Sequence, residues 1–400
     1  MKKIEIAKFR SIQNNCPLVL GSATPSLDSY SKVMSGEYKL FELPIRANGK
    51  PMPEIQIVDM LNEIRNGNTN MFSRSLLVNL EECIKDKNQA MIFINRRGFS
   101  SFIMCRECGY VAKCTDCDVS LVYHKSENKL KCHYCGKRFH VLDVCPECGS
   151  KSIKQGAIGT EQVVLELKKY FPDVPIFRMD NDTTRNKNAH EKILSQFRQA
   201  KPSILVGTQM IAKGHDIPNV TLVGILAADL SLYADDYRAG ERTFQLLTQA
   251  AGRAGRGREK GEVVIQPYSP DHYAVETAAS QNYEAFYQEE IAYRKLMGYP
   301  PVEQLVAILI SGEDEKYLEM ACDYLKKFAE HINKKQVRII GPTSPYVGKI
   351  NDVYRRVLYL KHTDYHSLTE MKDKLEQYIE MNSGFAKLRI QFDFNPMNIF

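Results

Sequence analysis

Apolar side chains fall in short runs rich in β-branched residues, PLVLGSAT, QAMIFIN, PIFRMD, SILVGTQ, TLVGILAAD and GEVVIQPY. Between them, apolar positions recur at helical spacing, as in FSRSLLVNLEECIK, EQVVLELKKYF and NAHEKILSQFRQA. A strand buried on both faces reads as a near-continuous apolar run, so this alternation predicts an α/β fold: a parallel sheet with helices on its faces. From about residue 301 the rhythm changes to strand EQLVAILI, helix YLEMACDYLKKFAEHI, strand QVRIIG, strand YRRVLYLK, helix HSLTEMKDKLEQYIE and strand FAKLRIQFDF. That β-α-β-β-α-β order predicts a ferredoxin-like α+β domain at the C-terminus. No run approaches the roughly 18 apolar residues of a membrane span, and MKKIEIAKFR has charge with no apolar signal core behind it. The expectation is a soluble cytoplasmic protein without a membrane partner.

Cysteine use changes this ordinary picture. Eight of the eleven cysteines lie between Cys105 and Cys148, in four C-x-x-C pairs: Cys105/Cys108, Cys114/Cys117, Cys132/Cys135 and Cys145/Cys148. A two-residue gap lets both sulfurs of a tight turn reach one tetrahedral ion, and two such knuckles complete a shell of four thiolates, so four knuckles predict two Zn2+ sites. Gly109, Gly136 and Gly149 follow the second cysteine of a pair, where a knuckle uses backbone freedom that only glycine has. Four disulfides would need an oxidising compartment, and nothing in the sequence directs the chain to one. Consecutive and nested pairing both satisfy the spacing. The segment LVYHKSENKLKCHYC between the second and third knuckles reads as a hairpin turning at Ser126, Glu127 and Asn128, which favours nesting. Cys114, Cys117, Cys132 and Cys135 would then hold the inner ion, and Cys105, Cys108, Cys145 and Cys148 the outer one. Four complete pairs leave no vacancy for His124, His133 or His140. All-cysteine sites are closed and structural, so this zinc builds a module inserted into the α/β domain after QAMIFIN. Cys16, Cys83 and Cys322 stand apart in apolar surroundings and read as small core residues.

Charge adds little globally. The excess is +6, 54 basic against 48 acidic residues, and eight thiolate charges against four from two Zn2+ would reduce it to +2. Locally, seven basic residues and one acid lie between Lys334 and Lys361, although residues 301–400 as a whole carry no net charge, 14 basic against 14 acidic. Tyr346, Tyr354 and Tyr359 interleave there with Lys349, Arg355 and Arg356, the combination that stacks bases while neutralising phosphates. Alternation along YRRVLYL would turn Val357 and Tyr359 to the core but leave the adjacent arginines outside.

Three segments carry chemistry. GSATPS, from Gly21 to Ser26, and VGTQMIAKGHDIPNV, from Val206 to Val220, each follow a buried run, and QAAGRAGRG, from Gln249 to Gly257, sits in a helix-like stretch. On a helix Arg253 and Arg256 would share one face and could grip phosphoryl oxygens that gain charge as a terminal phosphate leaves. Gly252 and Gly255 weaken such a helix by roughly 1 kcal/mol each relative to alanine, a cost that suggests a close approach. In this order the segments resemble motifs III, V and VI of superfamily 2 helicases. With four knuckles inserted between IFINRRGFSS and GTEQVVLELKKYFP, the chain from about residue 5 onward resembles the bacterial primosomal replication-restart helicases.

That resemblance implies a RecA-like second helicase lobe carrying a binuclear zinc module with nested knuckles, and a ferredoxin-like C-terminal domain that contributes to DNA binding. It divides the chain into the end of lobe 1 (1–45), lobe 2 (46–104 and 151–275), the zinc module (105–150), a helical linker (276–300) and the C-terminal domain (301–400). Arg253 and Arg256 would contact nucleotide phosphates, supported by Gln249 and Gly252. Gly214 and Asp216 would approach nucleotide and DNA together, with Lys213 and His215 beside them open to either a structural or a functional role. Thr208 and Gln209 would hold strand phosphates without reading bases. Ser22, Ala23 and Thr24 would link hydrolysis to lobe movement, and Asn95, Arg96 and Arg97 would meet the DNA backbone. Implied partners are forked or single-stranded DNA without sequence preference, primosome proteins and single-stranded-DNA-binding protein, at the nucleoid. No G-x-x-x-x-G-K-[ST] loop or DExH segment precedes Gly21. The chain therefore reads as the C-terminal part of a 3′ to 5′ ATP-dependent DNA helicase, needing a further lobe to use ATP and Mg2+. The alternative is a non-catalytic zinc-containing DNA-binding scaffold for primosome assembly.

Overall fold

The computed structural model describes residues 3–43, 49, 51–94, 103–105, 110, 112–115, 121–124, 127–132, 137–151, 153–155, 159–180, 182–184, 188–212, 217–233, 236–257, 259–345 and 347–396. It divides into two units, Met1–Glu42 and Leu43–Phe400. In the first unit, α1 (Lys3–Gln13) is followed by α2 (Leu27–Met34), whose N-cap Ser26 accepts a hydrogen bond from the Ser29 amide. The run at residues 17–21 forms no strand. A strand needs a neighbour to bond its backbone, the described residues of this unit supply none, and Leu18, Val19 and Leu20 are exposed. Cys16 is likewise exposed rather than a core residue. It finishes the turn after α1, its amide on the Ser11 carbonyl at 3.0 Å and its carbonyl accepting the Ser11 hydroxyl.

The second unit opens with β1 (Glu54–Ile57), α3 (Met60–Arg65), α4 (Arg74–Lys85) and β2 (Gln89–Ile94). Ser73 caps α4 by accepting from the Leu76 amide, and Leu76, Leu80 and Cys83 form its buried stripe. The cysteine-rich insertion follows as β3 (Ile103–Cys105), β4 (Val122–His124), β5 (Lys129–Lys131), β6 (Arg138–Phe139) and β7 (Ile153–Gln155). The domain then resumes with α5 (Thr160–Tyr170), β8 (Ile176–Met179), α6 (Ala189–Gln199), β9 (Ser203–Gly207), the single turn α7 (Gln209–Ala212), β10 (Val220–Leu226), α8 (Ala239–Ala251) and β11 (Glu262–Gln266). Six strands make one parallel sheet in the order β1-β11-β10-β2-β9-β8. Five are the buried runs of the sequence. The sixth, β1, was hidden because EIQI alternates apolar with polar residues instead of forming an apolar run.

Helices α9 (Tyr273–Ala279) and α10 (Tyr283–Met297) lead to β12 (Gln304–Gly312), α11 (Glu315–Ile332), β13 (Arg338–Thr343), β14 (Lys349–Ile350), β15 (Val353–His362), α12 (Tyr365–Met381) and β16 (Arg389–Phe394). The antiparallel order β13-β15-β12-β16 is the ferredoxin-like arrangement expected from the element order. Leu318, Leu325, Leu368 and Leu375 of the helices close over Val306, Ile308, Leu358 and Leu360 of the sheet. No described helix is long and apolar enough to cross a membrane.

Candidate nucleotide, nucleic-acid and metal sites

In a parallel sheet all carboxyl ends lie at one edge, where α/β proteins place ligands. At that edge β9 ends at Gly207, Thr208 follows half-buried, and Gln209 opens α7. Beside it, β8 ends on the buried Asp180. Its carboxylate accepts from the Thr160 hydroxyl (2.5 Å), Arg178 Nε (2.7 Å) and the amides of Asp182 and Thr183 (3.0 Å each). Burial alone would raise its pKa, but these donors hold it below the usual carboxylate range.

The arginine motif lies at the opposite edge and is not a helix. α8 ends at Ala251 with Gly252 as its C-cap, and the chain then turns through Arg253, Ala254 and Gly255. Arg253 and Arg256 thus sit on a turn rather than on one helical face. Arg256 folds back so that its Nε donates to the Gly252 carbonyl at 3.0 Å. Both arginines are half-buried. The glycines meet backbone of the chain itself. Gly255 has φ +67°, its amide donates to the Val220 carbonyl at 3.0 Å, and a Cβ there would stand 2.6 Å from the Gly261 nitrogen. At Gly257 a Cβ would stand 2.0 Å from the Pro218 carbonyl oxygen. The arginine turn is thereby seated on Pro218 and Val220, the end of the motif that began at Thr208. One connection across the sheet joins the Thr208–Gln209 edge to the arginine edge.

In the insertion the expected hairpin is present. Val122 pairs with Lys131 and His124 with Lys129, and the Tyr123 hydroxyl donates to Asn128 Oδ1 at 3.0 Å. Two knuckle turns are closed by backbone: the Cys132 amide on the Lys137 carbonyl (2.9 Å), and the Cys145 amide on the Ser150 carbonyl (2.8 Å) with the Gly149 amide on the Cys145 carbonyl (3.0 Å). Gly149 has φ +72°, the conformation for which its position calls for glycine. Cys114 and Cys132 share one buried cluster, while β3 and β7 bring Cys105 opposite Ile153, near the fourth knuckle. Thiol donors of this kind suit structural zinc, and among the described residues Cys114 and Cys132 are the two brought into one cluster, with no group of three or more ligands. The side chains of Cys105, Cys108, Cys117 and Cys135 lie outside the described residues.

Three family models match the three parts of the second unit: PriA DNA helicase Cys-rich region domain at residues 114–138, helicase conserved C-terminal domain at 150–258, and primosomal protein N C-terminal domain at 295–397. The replication restart protein PriA of Bacillus subtilis (strain 168) is 44% identical over 392 residues, 98% of this chain and 49% of that protein. Those of Synechocystis sp. and Haemophilus influenzae are 39% and 35% identical over 98% and 96% of this chain, and 48% and 52% of their own lengths. The chain belongs to the PriA family. It spans about half the length of these relatives.

Against that family background the other expected residues divide. Asn95, Arg96, Arg97, Lys213, Gly214, His215 and Asp216 lie outside the described residues. In the first unit Ser22 and Ala23 are exposed, and Thr24 is buried with its amide on Ser22 Oγ at 3.1 Å. The basic tract of the PriA-type C-terminal domain is largely paired within the chain. Lys335 meets Glu370 and Arg338 meets Glu303 at 2.6 Å, and Lys349 meets Asp352 at 2.8 Å. Arg356 contacts both Glu315 (2.8 Å) and Glu319 (2.7 Å) and its side chain is only 13% exposed. The expectation that both adjacent arginines face outward therefore fails for Arg356. Tyr354, Leu358 and Leu360 are the residues of β15 that pack under the helices, and Arg356 lies in their row, reaching up to α11. Arg355 donates from its amide to Gly348 O (2.8 Å) and from Nη1 to Val347 O (3.1 Å). Lys361 is buried, 3.8 Å from the Tyr299 ring centroid, and burial lowers its pKa.

Sequence reasoning missed one group altogether. Arg294 is 1% exposed. It donates to Glu290 at 2.7 Å, to Glu241 at 3.2 Å and to the Pro300 carbonyl at 2.6 Å, and lies 4.8 Å from the Tyr237 ring centroid. Glu290 also accepts the Tyr273 hydroxyl at 2.6 Å. The i, i+4 spacing of Glu290 and Arg294 is the one signal the sequence offers for it.

Proposed function

We propose that the chain is the portion of a PriA-type 3′ to 5′ DNA helicase that carries the second RecA-like lobe, a binuclear zinc module and a DNA-binding C-terminal domain. The observation that carries this reading is the join between motif V and the arginine turn. Thr208 and Gln209 stand at the carboxyl edge of the sheet, where neutral donors can hold strand phosphates. Arg253 and Arg256 stand at the amino edge, braced on Pro218 and Val220, with Gln249 and Gly252 forming the end of α8 behind them. Gly214 and Asp216 belong to the connection between the edges. Nucleotide at one edge and DNA at the other would thus share one covalent path. The arginines complete a phosphoryl-transfer site whose phosphate loop and Mg2+ ligands come from a second lobe, to which Ser22, Ala23 and Thr24 transmit the change. Arg96 and Arg97 meet the strand backbone, and the edge near Lys349 and Arg355 extends the DNA path, with Arg356 as its internal brace. The eight cysteines hold two zinc ions in nested pairs, which cross-link the module and take no part in chemistry. Partners are forked or single-stranded DNA, primosome proteins and single-stranded-DNA-binding protein, at the nucleoid in the cytoplasm.

The purified chain should bind single-stranded DNA with steep salt dependence and little sequence preference, yet hydrolyse no ATP above background with DNA present. Thr208→Ala with Gln209→Ala should weaken binding while leaving the salt slope unchanged, because neutral donors release no counterions. ATP turnover by the chain alone, or DNA affinity indifferent to this double variant, would refute the split site.

A further inference from the structure

The C-terminal sheet ends in an open edge. β16 pairs with β12 on one side, in a register that runs without interruption from Arg389 to Phe394, and among the described residues no strand pairs with its other side. Edge strands are usually kept from pairing by a bulge, a proline, a lysine or shortness. The other edges of the two large sheets carry such devices. β13 breaks register between Ile340 and Thr343, around Pro342, and β1 and β8 are four residues each. RIQFDF has none of these, only two charges of opposite sign, Arg389 and Asp393. Hydrogen bonds of an antiparallel ladder alternate between the two sides of a strand. The Asn395 amide donates to the Leu305 carbonyl at 2.7 Å, so Arg389, Gln391 and Asp393 bond inward to β12, and the amides and carbonyls of Ile390 and Phe392 face the open edge. Side chains alternate as well. Ile390, Phe392 and Phe394 are half-buried against the helices, whereas Arg389, Gln391 and Asp393 are exposed on the opposite face.

We infer that β16 is a self-association edge, which takes the same strand of a second copy of this chain in antiparallel register about a twofold axis at Gln391. Ile390 then exchanges main-chain hydrogen bonds with Phe392 of the partner subunit, and Phe392 with Ile390 of the partner subunit, the pairing that outward-facing groups require. On the exposed face the same register sets Arg389 opposite Asp393 of the partner subunit. The twofold axis repeats that ion pair, as an isologous contact must. On the helix face Ile390 meets Phe392 of the partner subunit, which carries the apolar layer from one copy into the next. Sliding the register by two residues in either direction sets Arg389 against Gln391 or Asn395 and loses both ion pairs. The charges therefore select this occupant and this alignment, and the two C-terminal sheets become one. The inference stands apart from the nucleotide, DNA and metal readings.

The test is sedimentation equilibrium of the intact chain at low salt, up to millimolar concentration, where a reversible dimer is expected. R389D and D393R each set like charges opposite one another and should weaken that dimer about tenfold. Both residues are exposed, so neither change disturbs the core. The double variant R389D/D393R should associate as the wild type does. An equimolar mixture of the two single variants should form a mixed dimer, because each supplies the charge that the other lacks. In the dimer the amides of Ile390 and Phe392 should exchange more slowly than in the monomer, while that of Gln391, already bonded to β12, should not change. A wild-type chain that stays monomeric at millimolar concentration overturns the proposal and leaves the edge to a strand of another protein. A dimer that neither single variant weakens, or one without slowed exchange at Ile390 and Phe392, lies on another face and overturns it as well. Failure of the double variant to recover overturns the register.

Discussion

Removing the Arg294 guanidinium should cost more than any exposed ion pair in the chain. Burial would depress this group, but Glu290 and Glu241 hold its pKa above the ordinary arginine value, so it carries a full charge in the core. Truncation to alanine leaves two carboxylates there, with side chains 0% and 8% exposed, Glu290 keeping the Tyr273 hydroxyl and Glu241 the Gln245 side-chain amide at 3.4 Å. Breaking one partner out of a buried ionic cluster costs about 3–5 kcal/mol, a large part of the roughly 5–15 kcal/mol that holds a domain folded. A chain of several parts does not unfold in one step, so native-state hydrogen exchange of amides in α8 and α10 is the suitable measurement. Arg294→Ala should lower their opening free energies by about 3–5 kcal/mol. Replacing the cluster by neutral groups, Arg294→Met with Glu241→Gln and Glu290→Gln, should recover most of the loss, since it strands no charge. A single-variant loss below about 1 kcal/mol would show that water reaches the carboxylates, and would refute the buried-cluster account.

Three further outcomes follow from the geometry. Gly255→Ala forces a side chain into φ +67° and against Gly261 backbone, and should lower the thermal midpoint by several degrees; an unchanged midpoint would mean the turn can move off β11. Asp180 has a depressed folded pKa, so its contribution is present above its unfolded value near ~3.9 and is lost as pH falls through the folded one. Asp180→Asn should therefore flatten the acid limb of a stability–pH curve, and an identical limb would exclude the carboxylate. Burial pushes the thiols of Cys83 to about 11 and Cys322 to about 12, so iodoacetamide at pH 8 should modify exposed Cys16 and spare both until denaturant is added. Peptide mapping that finds Cys83 or Cys322 alkylated in the native chain would contradict their burial.

What the sequence revealed, and what it concealed, follows the range of the interactions. The insertion, the ferredoxin-like order and the hairpin at Val122–Lys131 are written in local patterning, because apolar periodicity and turn residues act over a few positions. Arg356 was misjudged because its partners, Glu315 and Glu319, are about forty residues away on α11, and alternation along one strand cannot report what stands above it. Of the two glycines expected to mark a close approach, Gly255 does so against the chain's own Gly261, whereas Gly252 meets nothing closer than the Thr248 carbonyl at 3.3 Å. Val347 carried no signal at all: one valine in a loop looks the same whether it faces water or caps a cysteine cluster from another domain.

The antiparallel pairing of β3 with β7 sets the insertion apart from the sheet in a topological sense. The chain leaves after β2 and returns before α5 through two paired strands, so the points of departure and return are neighbours roughly 5 Å apart. β2 stays fully bonded between β10 and β9 whatever hangs from that stalk. Lengthening such a closed excursion adds only a slowly growing closure entropy. The whole excursion can accordingly be cut out and the stalk rejoined by a tight turn, leaving a six-stranded lobe with its register intact and a C-terminal domain with an unfilled seat.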